Sequence, residues 1–229
     1  GAFALTGGLG GLALRAAAVL VARGATRVLL ASRGGRVARG GGEGAAASVH
    51  SLGAAAVLVA SDSGDASETR ALLSSQPLCG VLHAAGVGDR GLLAELVARR
   101  LRWMFAPKAA GAYHIHCVVR APLEACVLYS SVGSSLGNVG QANYAAANAC
   151  LDAHALSSRA AGVRACSLQW PIVGGAGMGA STFAALAERQ ASVAGMAGIL
   201  LEEYAACLGA QTPPPSAPLS SHVPPPPSP

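Results

Sequence analysis

Ala2-Phe3-Ala4-Leu5-Thr6-Gly7-Gly8-Leu9-Gly10-Gly11-Leu12-Ala13 is the stretch from which the rest of the chain can be read. Ala2 to Thr6, apolar but for the threonine, reads as a short strand buried on both faces. Gly7–Gly11 supplies a turn almost bare of side chains, and the apolar run from about Leu12 to Arg23 is too long for a buried strand and reads as a helix. Gly24 stops that helix, and Arg27–Ala31 (Arg-Val-Leu-Leu-Ala) follows as a second apolar strand. A strand, a glycine turn, a helix and a strand within about 30 residues make a βαβ unit, which joins parallel strands.

Outward from this unit, strands are expected at Ala55–Ala60, Gly80–His83, Glu124–Tyr129 and Ala165–Gln169, with helices over Gly91–Arg102, Ala109–Val119 and Asn143–Ala160. The alternation predicts an α/β fold, a Rossmann-type doubly wound parallel sheet with helices on both faces, spanning residues 1–211. Gly34–Gly44 reads as a Gly/Arg loop. From Thr212 onward the chain holds nine of its 13 prolines, so 212–229 reads as a proline-rich interdomain linker.

Composition narrows the function. In 229 residues, 52% are hydrophobic and 12% charged, enough apolar surface for a sizeable core. Aromatics at 4% leave little surface for stacking on nucleic-acid bases, and the net charge of +5 comes from few acids rather than from a basic cluster. Neither nucleic acid nor a membrane is expected as a partner, and no apolar run reaches the length of about 18 residues that suggests a membrane span. The chain begins inside a strand, any targeting segment lies outside it, and the expected location is cytoplasmic or organellar. The six cysteines, Cys79, Cys117, Cys126, Cys150, Cys166 and Cys207, have no Cys-x-x-Cys pair and no zinc-like spacing. They are expected to be buried, inert thiols, with no metal site.

Gly8 to Ala13 matches G-x-G-x-x-A, and its place between a strand and a helix makes it a dinucleotide fingerprint. The turn Thr6, Gly7, Gly8, Leu9, Gly10, Gly11 and Leu12 would bring bare backbone and a helix N-terminus to a pyrophosphate. The second strand ends in Ser32-Arg33, a hydroxyl and a guanidinium where a carboxylate would select NAD, so the expected cofactor is NADPH. Asp62, past a strand, could accept from the adenine amino group or simply make a turn. His83-Ala84-Ala85-Gly86 closes another strand with small residues that let a flat cofactor approach; His83 itself reads as a packing residue rather than a base.

Tyr144 and Asn148 stand at i and i+4 near the start of a helix, and so share a face. Ser131 follows an apolar strand, and Val132–Asn143 reads as an active-site loop. A strand-end serine with a helical tyrosine suits carbonyl reduction, the phenol giving a proton to the forming alkoxide and the serine bonding the same oxygen. Phenol titrates near pH 10, too high for easy proton exchange at neutral pH, so a cation is needed. Lys108 is the one lysine among 16 basic residues, a choice of ammonium where arginine is used everywhere else.

With these residues in view, the chain resembles the catalytic half of a ketoreductase domain from a modular polyketide synthase or related fatty acid synthase, in the short-chain dehydrogenase/reductase superfamily. The matching stretches are Thr6–Ala13, Leu30–Arg33, Gly80–Val87, Ala106–His116 and Tyr129–Asp152, within a similarity over roughly 1–210. The resemblance implies that Tyr144 is the proton donor and Ser131 the alkoxide partner. It makes Lys108 and Asn148 the groups that tune the tyrosine and link it to a proton relay. It also implies an acyl carrier protein-tethered β-ketoacyl substrate, with the other domains of the same synthase as partners. A domain retained for structure alone, and a free-standing carbonyl reductase, are the other readings.

Departures from the family pattern accompany the match. Relatives carry Trp-Gly-Pro-Trp where this chain has Trp170-Pro171-Ile172-Val173. The segment from Asp65 to Gly80 is shorter than usual, which predicts a trimmed covering helix. Gly88-Asp89-Arg90 replaces Leu-Asp-Asp, and Leu136 stands where the other stereochemical mark would be a tryptophan. The structural subdomain that usually precedes the catalytic half is not in this sequence. Met178–Leu208 is expected to form a lid over the substrate groove, and its apolar residues around Leu186, Met196, Ile199 and Leu200 serve that lid or make ordinary core contacts.

Overall fold

The structure, a computed structural model, describes residues 1–37, 43–119, 123–188 and 198–211. Among them β1 (Ala2–Thr6), α1 (Gly11–Ala22), β2 (Arg27–Ser32), α2 (Glu43–Leu52), β3 (Ala56–Ala60), α3 (Ala66–Ser74) and β4 (Gly80–His83) form the first half. The second half holds α4 (Ala98–Phe105), α5 (Gly111–Val118), β5 (Ala125–Ser131), α6 (Gly133–Leu136), α7 (Ala142–Ala160), β6 (Ala165–Trp170), α8 (Ala180–Glu188) and α9 (Leu201–Gln211).

The six strands run parallel in the order β3-β2-β1-β4-β5-β6. Side chains alternate across the sheet, and both faces are covered. Phe3, Leu5, Val28, Leu30, Val127 and Tyr129 face one core with α1 and α9. Ala4, Leu29, Ala31, Cys126 and Leu128 face the other with residues of α3, α5 and α7. That is why these strands read as continuous apolar runs rather than alternating ones. The strand order reverses direction between β1 and β4, and the carboxyl ends flanking such a switch point open the crevice where ligands bind in this architecture.

Several expectations need correcting. The helix placed over Gly91–Arg102 begins only at Ala98. Before it, the Gly91 N–H donates to Gly140 O and the Leu92 N–H to the Glu95 carboxylate, so this backbone is committed to loop pairing instead. The covering helix after Asp65, expected to be trimmed, is the nine-residue α3, with the Asp65 carboxylate capping the N–H groups of Ser67 and Glu68. Of the six thiols only that of Cys126 is buried: Cys79, Cys150 and Cys166 are half-buried, and Cys117 on α5 and Cys207 on α9 are exposed. The lid expectation also divides. α9 is core, with Tyr204 and Leu208 fully buried, because its apolar face closes over α1. Met196, residues 38–42 of the Gly34–Gly44 loop and the linker 212–229 lie outside the described residues, as does the side chain of Leu186. No described helix is long and apolar enough to cross a membrane.

Candidate active site

A cavity of about 960 Å³ opens over the carboxyl ends of the strands. Gly7 is at φ +64°, and a Cβ there would lie 2.7 Å from Ala85 Cα, so only glycine lets β1 turn beneath the β4 loop. Gly10 caps α1 without a side-chain bond, which leaves the first-turn N–H groups free of any internal partner. Bare backbone with a helix N-terminus aimed at the cavity fits a pyrophosphate, on the structure's own geometry. Gly7, Leu9, Gly10, Gly11 and Leu12 line it.

Ser32, Arg33 and Asp62 line the same cavity from the ends of β2 and β3. The Ser61 N–H donates to Ser32 O and couples these two ends. Asp62 does make the turn weighed for it: its carboxylate accepts from the Gly64 N–H at 2.9 Å, and it still faces the cavity. Ala84, Ala85 and Gly86 form the wall beyond β4.

Three of the cofactor-site residues expected from sequence support this surface from beneath rather than line it. Gly8 is pressed on β2, where a Cβ would come 2.7 Å from Leu30 Cα, and its N–H donates to Ala31 O. Thr6 and His83 are buried and joined, Thr6 Oγ1 to His83 Nδ1 at 2.6 Å.

The candidate catalytic set comes from β5, α7 and the turn between α4 and α5. Ser131 ends β5, where its Oγ accepts from the Gly133 N–H at 3.1 Å, so its own hydroxyl hydrogen is left to give. Tyr144 stands in the first turn of α7 and faces the cavity. Asn148, one turn on and fully buried, donates from Nδ2 to Tyr144 O at 2.9 Å.

Lys108 reaches this pair from a different element. α4 and α5 are halves of one rod, interrupted at Ala106–Ala110 by a π-helical turn. Pro107 has no N–H to continue an α-helix, and the wider turn absorbs the break. Its ammonium donates to Asn148 Oδ1 at 2.9 Å and to Tyr129 O at 3.2 Å, and lies 5.4 Å from the centre of the Tyr144 ring. Gly86 makes room, since a Cβ there would meet Lys108 Cε at 2.8 Å. Only 4% of the lysine is exposed, and burial pushes its amine down to about 8, partly opposed by the charge of Asp152.

Two positioning networks were not singled out in the sequence. Asp89 is held by Arg100 through two bonds (3.0 and 2.7 Å) and by Asn143 Nδ2 at 2.7 Å, and the bond from Arg100 keeps its carboxyl below the ordinary range. Asn143 Oδ1 in turn accepts from the Tyr144 N–H, so this clamp sets the start of α7. Asp152 accepts from Ser134, Ser167 and Gln169 under the β5 end, and Ser134 Oγ also contacts Ser131 O. Burial would raise its carboxyl, yet these bonds hold it low. The sequence signals for the first network were Asp89, in the stretch set against the family's Leu-Asp-Asp, and Asn143, the residue before the tyrosine.

Trp170 ends β6 and its backbone O accepts from the Val132 N–H, while its ring packs 4.6 Å from that of Tyr204. Tyr204 donates to Leu12 O, so Tyr129 donates to Tyr204, and both phenols are pushed upward by burial. Pro171, Ile172 and Val173 line the cavity despite their departure from the family pattern. A short parallel bridge from Val173 to Ile199 anchors the stretch.

Among known proteins, the family model described as "KR domain" matches residues 1–175. The spectinabilin polyketide synthase system protein NorB of Streptomyces orinoci is 42% identical over 210 residues, covering 89% of this chain and 10% of that protein. A 6-methylsalicylic acid synthase of Penicillium terrestre is 38% identical over 204 residues, covering 80% and 11%. A solved ketoreductase from the first module of phoslactomycin biosynthesis in Streptomyces sp. HK803 superposes with a TM-score of 0.79 at 34% identity, covering 92% of this chain and 49% of that one. The chain thus spans about half of that solved ketoreductase and about a tenth of these synthases.

Proposed function

The chain belongs to the KR domain family of polyketide synthase ketoreductases, within the short-chain dehydrogenase/reductase superfamily, and from that premise we propose that it reduces a β-ketoacyl thioester, carried on an acyl carrier protein, to the β-hydroxyacyl form with NADPH. The family implies a nicotinamide cofactor. Selection of NADPH is supported by Ser32 and Arg33, which present a hydroxyl and a guanidinium to the cavity where a 2′-phosphate would sit. The observation that carries the reading is the convergence of Lys108, Asn148 and Tyr144, with Ser131 on the same cavity wall.

When bound, the nicotinamide supplies the hydride. Everything else falls to this chain's side chains. Ser131 donates its free O–H to the substrate carbonyl oxygen and orients it. Tyr144 gives its phenolic proton to that oxygen as negative charge develops. The buried ammonium of Lys108 stabilises the charge left on the phenol, in surroundings where water screens little. Asn148 holds the ammonium with its Oδ1 and the α7 backbone with its Nδ2. Both bonds fix the lysine relative to the tyrosine.

The test is NADPH oxidation followed at the reduced nicotinamide absorbance with a β-ketoacyl thioester surrogate. Tyr144→Phe is expected to lower kcat by roughly 10²-fold or more while NADPH binding stays within about threefold. Retained turnover in that variant refutes the mechanism.

A further inference from the structure

His83 belongs to neither the cavity wall nor the reacting set, yet it joins the two parts of the site. Its ring is fully buried. Nε2 lies 3.0 Å from Lys108 O, and since a carbonyl can only accept, Nε2 carries the proton. Nδ1 is therefore an acceptor, and Thr6 Oγ1 donates to it. Burial pushes the imidazole down to about 4, so this single tautomer persists through neutral pH.

The carbonyl it meets belongs to the π turn, where the backbone pairing departs from the α pattern. In a regular helix Pro107 O and Lys108 O would accept from the N–H groups of Gly111 and Ala112. Here the Gly111 N–H reaches back to Ala106 O, with a second branch to Lys108 O. Side chains from the loop after β3 and from the end of β4 also reach these carbonyls: Ser63 Oγ donates to Pro107 O at 3.2 Å, and His83 Nε2 to Lys108 O. The helix makes room for the ring, because a Cβ on Gly111 would lie 2.7 Å from His83 Cε1.

Lys108 is thus held at both ends. Asn148 and Tyr129 hold its ammonium, and His83 holds its backbone. Through Thr6, the residue before Gly7, the same ring is tied to the strand that carries the glycine turn.

We propose that His83 is a positioning residue for Lys108: it locks the π turn onto the end of β4 and couples its register to the glycine turn. It transfers no proton and touches no substrate. The proposal rests on the reading that Lys108 acts on Tyr144, and it adds a residue to that machinery.

The experiment compares the wild-type chain with His83→Leu, His83→Gln and Tyr144→Phe, measuring kcat and KM with the thioester surrogate and NADPH affinity by direct titration. Leucine fills the space but bonds neither Thr6 nor Lys108, and a displacement of the lysine by about 1 Å is enough to cost on the order of 10²-fold. The expected result for His83→Leu is a fall in kcat of about tenfold or more, with KM and NADPH affinity within about threefold. Glutamine, which again offers an N–H near Lys108 O, is expected to recover most of the loss.

A His83→Leu protein with kcat within about twofold of wild type overturns the proposal, as does an equal loss of turnover and NADPH affinity. If His83→Leu does not fold, Gly111→Ala decides: its methyl group pushes the ring off Lys108 O while favouring the helix. A fall in kcat with cofactor affinity kept then supports the proposal, and unchanged kcat overturns it. Turnover surviving in Tyr144→Phe marks failure of the underlying mechanism instead, so the two failures are distinguishable.

Discussion

Replacing Lys108 with methionine tests the electrostatics of the site through folding, independently of any substrate. The amine titrates at an ordinary 10.5 in the unfolded chain and at about 8 in the fold, where burial disfavours the charge. Below about pH 8 both states carry the proton, and the native state bears the cost of a buried ammonium. Between about pH 8 and 10.5 the unfolded state holds more protons than the native state, so stability rises with pH. At about 1.4 kcal/mol per tenfold difference, the full window is worth about 3 kcal/mol, of which about 2.5 kcal/mol falls between pH 7 and pH 10.

Other groups oppose this trend. Burial raises the Cys126 thiol to about 12 and the phenols of Tyr129 and Tyr204 upward, so their release of protons on unfolding lowers stability as pH rises. They are common to both proteins and cancel in the difference. Urea unfolding of wild type and Lys108→Met at pH 7 and pH 10 is expected to show wild type gaining about 2.5 kcal/mol relative to the variant. A relative gain below about 0.5 kcal/mol, or one of opposite sign, refutes the account of Lys108 as a desolvated ammonium.

Arg33→Ala is expected to weaken NADPH by about tenfold or more and NADH by less than about threefold in direct titration, and equal losses would remove the 2′-phosphate assignment. Asp89→Asn leaves the shape of the loop clamp but removes the charge that grips Arg100 and Asn143; kcat is expected to fall several-fold, roughly three to ten, and unchanged kinetics would show that the start of α7 needs no such clamp. Adding a methyl group at Gly7, which sits at φ +64° against Ala85, is expected to cost about 1–3 kcal/mol in urea unfolding together with most NADPH affinity. A Gly7→Ala protein binding NADPH normally would contradict the cradle.

What could be read in the linear chain was whatever depends on local pattern. Continuous apolar strands, helix-length apolar runs and the glycine turn follow from periodicity and backbone freedom, and they led to a parallel doubly wound sheet. The candidate set Ser131, Tyr144, Asn148 and Lys108 was legible because the residue types are chemically unusual where they stand, and because five stretches together resemble one family.

Contacts between distant segments decided the rest. Nothing near Lys108 in sequence announces that Pro107 opens a π turn, or that His83, 25 residues earlier, donates to its carbonyl. Asp89 and Asn143 lie 54 residues apart, and their bond depends on the loop after β4 meeting the start of α7. α9, expected in a lid, became core because its apolar face met α1, whose own exposed face was invisible until the sheet had placed it. Local sequence specifies backbone conformation and which face of an element is apolar. Which polar groups meet, and which carbonyl a distant side chain reaches, is settled only when the strands are brought side by side.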